Sequence, residues 1–176
     1  MKRLLNCFHG LNIFLQFLPH LVLYFAIILL FGQNESSGDE VRYLWYAKNI
    51  LNGYYSPPPP DIVLWNGPGY PIFITPLVLL NLPIVAIRLV NAFLIYFSLI
   101  IGYQTFRYFI NKEQSLIFSS LAGLYFPMFE MLPLVYTECL AWFLITVVCH
   151  FFIRFFKEGK KSIKYGLYSA LALAFL

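Results

Sequence analysis

Charge is what this sequence has least of. Its 12 Lys and Arg and 8 Asp and Glu make up 11% of 176 residues, where a soluble domain typically carries about 25%. So few charges cannot cover a water-soluble surface, and a mean hydropathy of +0.72 agrees. Cysteine is scarce as well. Cys7, Cys139 and Cys149 form no CxxC pair and no even-numbered set, which excludes a disulfide framework and leaves Cys139 and Cys149 as buried thiols inside an apolar run. His9, His20 and His150 lack partners at metal-ligand spacing. There is no GxSxG, no glycine-rich phosphate loop and no internal repeat. The net charge of +4 does not indicate a nucleic-acid partner, because the basic residues stand in short loops beside apolar runs, where they set topology.

Apolar residues are abundant: 60% of the chain is hydrophobic and 20% aromatic. The fold class this implies is all-α, a polytopic transmembrane helical protein in a lipid bilayer. Residues 11–31 contain no formal charge, and such a run is long enough to cross a hydrocarbon core of about 30 Å. It is longer than the apolar region of a cleaved signal peptide, and Gly32-Gln33-Asn34 is a poor cleavage site, so a retained first span is expected. Further spans are expected over residues 84–108, 115–131 and 135–156, the third broken near its end by Pro127 and Pro133. Residues 165–176 begin a fifth span too short to cross, as expected of a truncated chain with an incomplete domain.

The polar loop over residues 33–67 holds the densest charge, Ser36-Ser37-Gly38-Asp39-Glu40-Val41-Arg42-Tyr43. Ser37 and Glu40 fit a capping box, with the Ser hydroxyl as N-cap and the Glu three residues on. A helix over residues 38–52 should follow, with Gly53 to stop it. It is too polar to span and rich in Tyr and Trp, so it should lie along the membrane interface. Asp39, Arg42 and Tyr43 share one face. Pro57 to Pro60 reads as a stiff spacer. Residues 69–80, interrupted by Pro71 and Pro76, read as a re-entrant or interfacial segment that needs a cavity or a protein cover.

With the N-terminus in the cytoplasm, nine of the twelve Lys and Arg fall inside and six of the eight acids outside. The positive-inside rule favours that orientation. The first loop is then extracytoplasmic, and the outer face gathers Asp39, Glu40, Arg42, Tyr43, Arg88, Glu130 and Glu138. Acids at the lip of a membrane cavity can act as a general base, hold a divalent cation or carry protons, and cations there can stabilise a phosphate leaving group.

Taken in order, the first span, Gly38-Asp39-Glu40-Val41-Arg42-Tyr43, the helix ending at Asn52-Gly53, Gly67-Pro68-Gly69-Tyr70-Pro71, Ala86-Ile87-Arg88-Leu89-Val90-Asn91 and Tyr136-Thr137-Glu138 give a pattern. It resembles the N-terminal part of the GT-C membrane glycosyltransferases, which include the dolichyl-phosphate-mannose-dependent protein mannosyltransferases and the bacterial lipid A aminoarabinose transferase. The resemblance implies an extracytoplasmic active site; the membrane expected for it is the cell inner (plasma) membrane, with the endoplasmic reticulum second. The resemblance also implies a sugar donor on a polyprenyl phosphate, a lipid, glycan or protein acceptor, and transfer with inversion. Asp39 would be the catalytic base, with Glu40, Arg42, Tyr43, Tyr70, Arg88 and Glu138 lining the substrate site. A lipid-linked donor needs no nucleotide site. Trp65-Asn66-Gly67-Pro68 lacks the acid that some members carry near a metal, the nearest being Asp61, so no metal ligand is assigned and a divalent cation is left open as the one cofactor. Two other readings of the same residues are a transporter or channel subunit and a non-catalytic assembly partner.

Overall fold

The computed structural model describes residues 12–158 and 163–175. The sequence readings on Lys2, Arg3, Cys7, His9, Leu11, Lys160, Lys161 and Leu176 lie outside the described residues. Among the described residues the chain is helical and contains no strand. The helices are α1 (Ile13–Phe31), α2 (Asp39–Leu51), α3 (Gly69–Leu79), α4 (Ile84–Phe106), α5 (Lys112–Gly123), α6 (Phe126–Met131), α7 (Glu138–Glu158) and α8 (Ile163–Phe175).

Helices α1, α4 and α7 are long and apolar enough to cross a membrane. They match three of the expected spans to within a few residues. Helix α4 is central: 56% of its apolar window is buried, against 28% for α1 and 17% for α7. Helices α1, α5 and α7 all pack on α4, α8 runs along α7, and α2 packs on α3. Leu29, Leu30, Phe31, Phe126 and Leu171 stay exposed. Such residues suit contact with lipid tails, where association rests on close packing and internal hydrogen bonds rather than on water exclusion.

Helix α2 starts and stops almost where the sequence places it. Asn52 caps it, Gly53 takes a left-handed φ of 87°, and the Tyr54 N–H returns to the Asn49 carbonyl at 3.2 Å. Pro57 to Pro60 does not form the expected extended spacer. It turns, with the Asp61 N–H donating to the Pro58 carbonyl at 3.2 Å. Helix α3 ends at Leu79 with Leu80 as its C-cap, and the next residue, Asn81, takes the left-handed φ of 51° that Asn tolerates better than most residues.

The third span, expected to break near its end at Pro127, is two helices. Helix α5 stops at Gly123 and α6 begins at Phe126, with Pro127 in its first turn, where a missing N–H does no harm. The break therefore falls before Pro127 rather than at it. Broken helices survive at bilayer depth only if the freed backbone groups find partners. Here all four terminal carbonyls of α5 find one. Those of Leu121 and Ala122 accept the N–H groups of Leu124 and Tyr125 at 3.1 and 3.2 Å. The Ser120 carbonyl meets His20 Nε2 at 3.3 Å, and the Gly123 carbonyl accepts the Tyr24 hydroxyl at 2.8 Å. Both side chains come from α1. Gly123 is needed for the approach: a Cβ there would stand 2.7 Å from Leu99 and 2.8 Å from both His20 and Tyr24.

Tyr24→Phe leaves the Gly123 carbonyl without a partner and should lower unfolding stability by about 1 kcal/mol. Gly123→Ala forces three neighbours apart and should cost more, about 1–3 kcal/mol. Denaturant titration of the reconstituted protein, followed by circular dichroism, measures both. Unchanged midpoints would contradict this account of the break.

Candidate functional site

Asp39, Glu40, Arg42, Tyr43, Tyr70, Arg88 and Glu138 meet at one end of the bundle, where α2 and the starts of α3, α4 and α7 converge. They divide into a buried layer and a more accessible one.

The buried layer is an ion pair. Arg88, on the first turns of α4, donates from Nε to Glu40 Oε1 at 3.1 Å and from Nη2 to both carboxylate oxygens at 3.0 Å. Both side chains are 1% exposed. The guanidinium also donates to the Gln33 carbonyl and, at 3.2 Å, to that of Glu35. Glu40 in turn accepts the Ser37 N–H at 3.1 Å and the Val135 N–H at 2.7 Å. One pair thus ties together the α1–α2 loop, the start of α2, α4 and the segment ahead of α7. Desolvating two charges is expensive, and close pairing with further hydrogen bonds is what offsets it.

The substrate-facing role expected of Glu40 and Arg88 is corrected by this geometry. Their charged groups are occupied by each other and by the backbone, with no open face. The capping box is also only half formed. Glu40 reaches back to the Ser37 N–H as expected, but Gly38 is the N-cap and no side chain caps the helix. Gly38 sits at φ 57°, ψ −127°, a conformation suited to glycine, and a Cβ there would meet the Tyr136 hydroxyl at 3.2 Å.

The accessible layer is built on the face of α2 that the i, i+3, i+4 spacing predicts. Asp39 and Arg42 form an ion pair with side chains 44% and 35% exposed. Arg42 also stands over the Trp65 ring, 5.3 Å from its centroid, a contact that draws a guanidinium to an aromatic face. Tyr43 is buried and packs edge-on to Tyr70, with ring centroids 5.0 Å apart. Asn66 donates to the Tyr43 hydroxyl at 3.2 Å. Burial pushes the Tyr43 phenol pKa up, and its hydrogen bond with Thr137 pulls it down. Asp39 raises it, Asn66 lowers it and Glu138 raises it again. The site therefore keeps a protonated hydroxyl between two carboxylates, one from α2 and one from the exposed first residue of α7.

The loop that delivers Trp65 and Asn66 is folded back on α2 by aromatic packing. Tyr46 and Tyr55 stack at 4.4 Å. Tyr55 donates to the Asn66 carbonyl at 2.6 Å, Tyr46 to the Val63 carbonyl at 3.3 Å, and Asn49 to the Tyr55 carbonyl at 3.2 Å. Burial carries the Tyr55 phenol pKa up to about 12, so it stays a donor throughout the neutral range.

Sequence reasoning did not single out Asn66 or Thr137 as site residues. Asn66 followed the tryptophan of a Gly-Pro loop, and only the loop's return over α2 reveals it. Two buried polar atoms in this layer, Arg42 Nε and Asn66 Oδ1, have no hydrogen-bond partner. Groups of that kind ordinarily find one. Two clefts, of about 650 and 250 Å³, open on the opposite flank of α2 beside Leu44. Among the described residues no three His, Cys, Asp or Glu side chains converge as a metal site would need.

Arg88→Met leaves a bare buried carboxylate and should cost about 3–5 kcal/mol, as should Glu40→Leu with the charge reversed. The double variant should recover part of the loss, because the carbonyls of Gln33 and Glu35 still lack their donor. Thermal unfolding in detergent measures the cycle. Additive losses would mean that the pair does not act as a unit.

Compared with protein-family models, with curated proteins and with solved structures, the chain finds no match.

Proposed function

We propose that the chain is a membrane glycosyltransferase of the GT-C kind, which moves a sugar from a polyprenyl-phosphate donor to an acceptor hydroxyl with inversion. In this reading the N-terminus is cytoplasmic, α2 lies along the outer interface of the cell inner membrane, and Asp39 works outside the cytoplasm. The orientation rests on the asymmetry of Lys and Arg along the chain.

The observation that carries the reading is the half-exposed Asp39 carboxylate, held by Arg42 on the same helix face, beside a donor and an acceptor without partners. A sugar phosphate offers both: acceptor oxygens for Arg42 and hydroxyls for Asn66. Asp39 takes the proton of the acceptor hydroxyl. The acceptor oxygen bonds to the anomeric carbon from the face opposite the phosphate. The bond from that carbon to the phosphate oxygen breaks, and its electron pair leaves with the polyprenyl phosphate. Arg42 stabilises the charge that gathers on the leaving group. Tyr43 and Tyr70 shape the wall, Trp65 offers an apolar ring face, and Glu138 supports acceptor binding from across the site.

Membranes holding the chain, given a radiolabelled polyprenyl-phosphate sugar, should form labelled acceptor. Asp39→Asn should reduce transfer by about 10²–10⁴-fold, the usual contribution of a positioned general base. Arg42→Gln should weaken donor use without abolishing proton transfer. Transfer that survives undiminished in Asp39→Asn would remove Asp39 as the base. Solute flux in proteoliposomes without any transfer would favour the transporter reading instead.

A further inference from the structure

Helices α5 and α7 both pack on α4. Between the three lies a cavity of about 490 Å³. Its floor is formed by Ser98, Leu99 and Ser119, all buried. Phe109, Ile145 and Cys149 stand at its mouth and are exposed, so Cys149 is not the buried thiol expected of it. Trp142 closes one end, where its ring stacks on Tyr125 with centroids 5.8 Å apart. Among the described residues no charged side chain lines the space. We infer that this cavity binds an uncharged lipophile that carries one hydroxyl or carbonyl oxygen. The volume suits roughly ten to fifteen non-hydrogen atoms, at about 30 Å³ for each water-sized group.

Small residues between membrane helices need no ligand to explain them, since they let backbones approach closely. Here Ser98, Gly102, Ser119 and Ala122 border open space instead. A Cβ on Gly102 would meet nothing nearer than the Ser119 hydroxyl, at 3.9 Å. The polar groups of the wall separate this space from a plain packing gap. The hydroxyls of Ser98, Thr105 and Thr146 each donate to the carbonyl four residues earlier, at 2.8 Å. The Ser119 hydroxyl does not. It belongs to a residue only 1% exposed and has no hydrogen-bond partner. Buried hydroxyls ordinarily find one. Water is a poor candidate, because it needs two to four polar partners and the other three hydroxyl protons of the wall are already engaged. A plain hydrocarbon tail leaves Ser119 unsatisfied as well. A lipophile with a single oxygen meets the hydroxyl and fills the apolar remainder.

The volume falls within the range of about 300–1,000 Å³ common to small-molecule sites, which pair apolar walls with a few placed polar groups. The mouth runs along α4 and α7, both long and apolar enough to cross a membrane, so the guest enters from lipid rather than from water. The inference does not rest on sugar transfer, whose proposed residues gather at the start of α4.

The test uses the full chain in detergent with 3-azioctanol, an eight-carbon alcohol that carries a photoreactive diazirine. Peptide mass spectrometry maps the residues labelled on irradiation, and 1-octanol and nonane are titrated as competitors. Labelling should saturate and fall on residues 98–109 and 142–153, which border the cavity. Ser119→Ala removes a hydroxyl that bonds to nothing, so the fold is kept. In that variant 1-octanol should compete about fivefold less well, the loss of one neutral hydrogen bond, and nonane as well as before. Gly102→Leu fills the space and should weaken labelling about tenfold, the effect of overpacking a filled site. If it loosens α4, Gly102→Ala, with its methyl in ordinary contact with Ser119, should shift labelling in the same direction. Labelling that never saturates, or that falls elsewhere on the helices, would mean that hydrocarbon tails alone occupy the cavity and would overturn the inference. Equal competition by 1-octanol in the native chain and in Ser119→Ala would overturn it too.

Discussion

The acidic end of this protein depends on one interaction, the buried pair between Glu40 and Arg88. Four separate segments have a backbone or side-chain group bonded to it: the loop after α1, the start of α2, the first turns of α4 and the stretch ahead of α7. None of these contacts is local except the return to Ser37. The cooperation is physical. Each charge would be prohibitively costly to bury alone, so each segment must be in place for the others to stay buried. Asp39 precedes Glu40 and Arg42 follows it by two, so fixing Glu40 also fixes the direction in which the accessible pair faces. Burial of one acid and exposure of its neighbour therefore follow from a single constraint.

The rest of the bundle handles polar groups by the same economy. The break between α5 and α6 frees carbonyls, and α1 supplies His20 and Tyr24 to meet them. Asn91 does similar work one helix over, donating to the carbonyls of Leu132 and Leu134 at 3.1 and 2.6 Å. These bonds allow a non-helical strand of chain to rise from α6 to α7 and bring Val135 to Glu40 and Thr137 to Tyr43. Helix α4 contributes to each arrangement: Arg88 and Asn91 near its start and Leu99 against Gly123.

Much of this architecture was legible in the chain. Apolar runs without charge place α1, α4 and α7, because length and composition alone decide whether a helix can cross a membrane. The limits of α2 follow from the Ser37–Glu40 pair and Gly53, although Gly38 rather than Ser37 is the N-cap, and the shared face of Asp39, Arg42 and Tyr43 follows from helical spacing. The pairing of Glu40 with Arg88 was not legible. A local motif, the capping box, already accounted for Glu40, and its true partner lies 48 residues away on another helix. The break after Gly123 was hidden for a related reason. Proline marks breaks in a sequence, but this one is set by close contact with α1, and Pro127 merely opens the next helix. Asn66 escaped notice because a loop residue acquires a role only when its loop is folded back, here by Tyr46 and Tyr55.

Hydrogen exchange followed by mass spectrometry on the reconstituted protein tests the organising role of the buried pair most directly. In the native chain the amides of residues 35–40 and 132–135 should exchange slowly and with similar protection. In Arg88→Met both stretches should lose protection together, while α5 and the middle of α7 keep theirs. Loss confined to one stretch, or none in either, would contradict the claim that Glu40 and Arg88 hold this end of the molecule together.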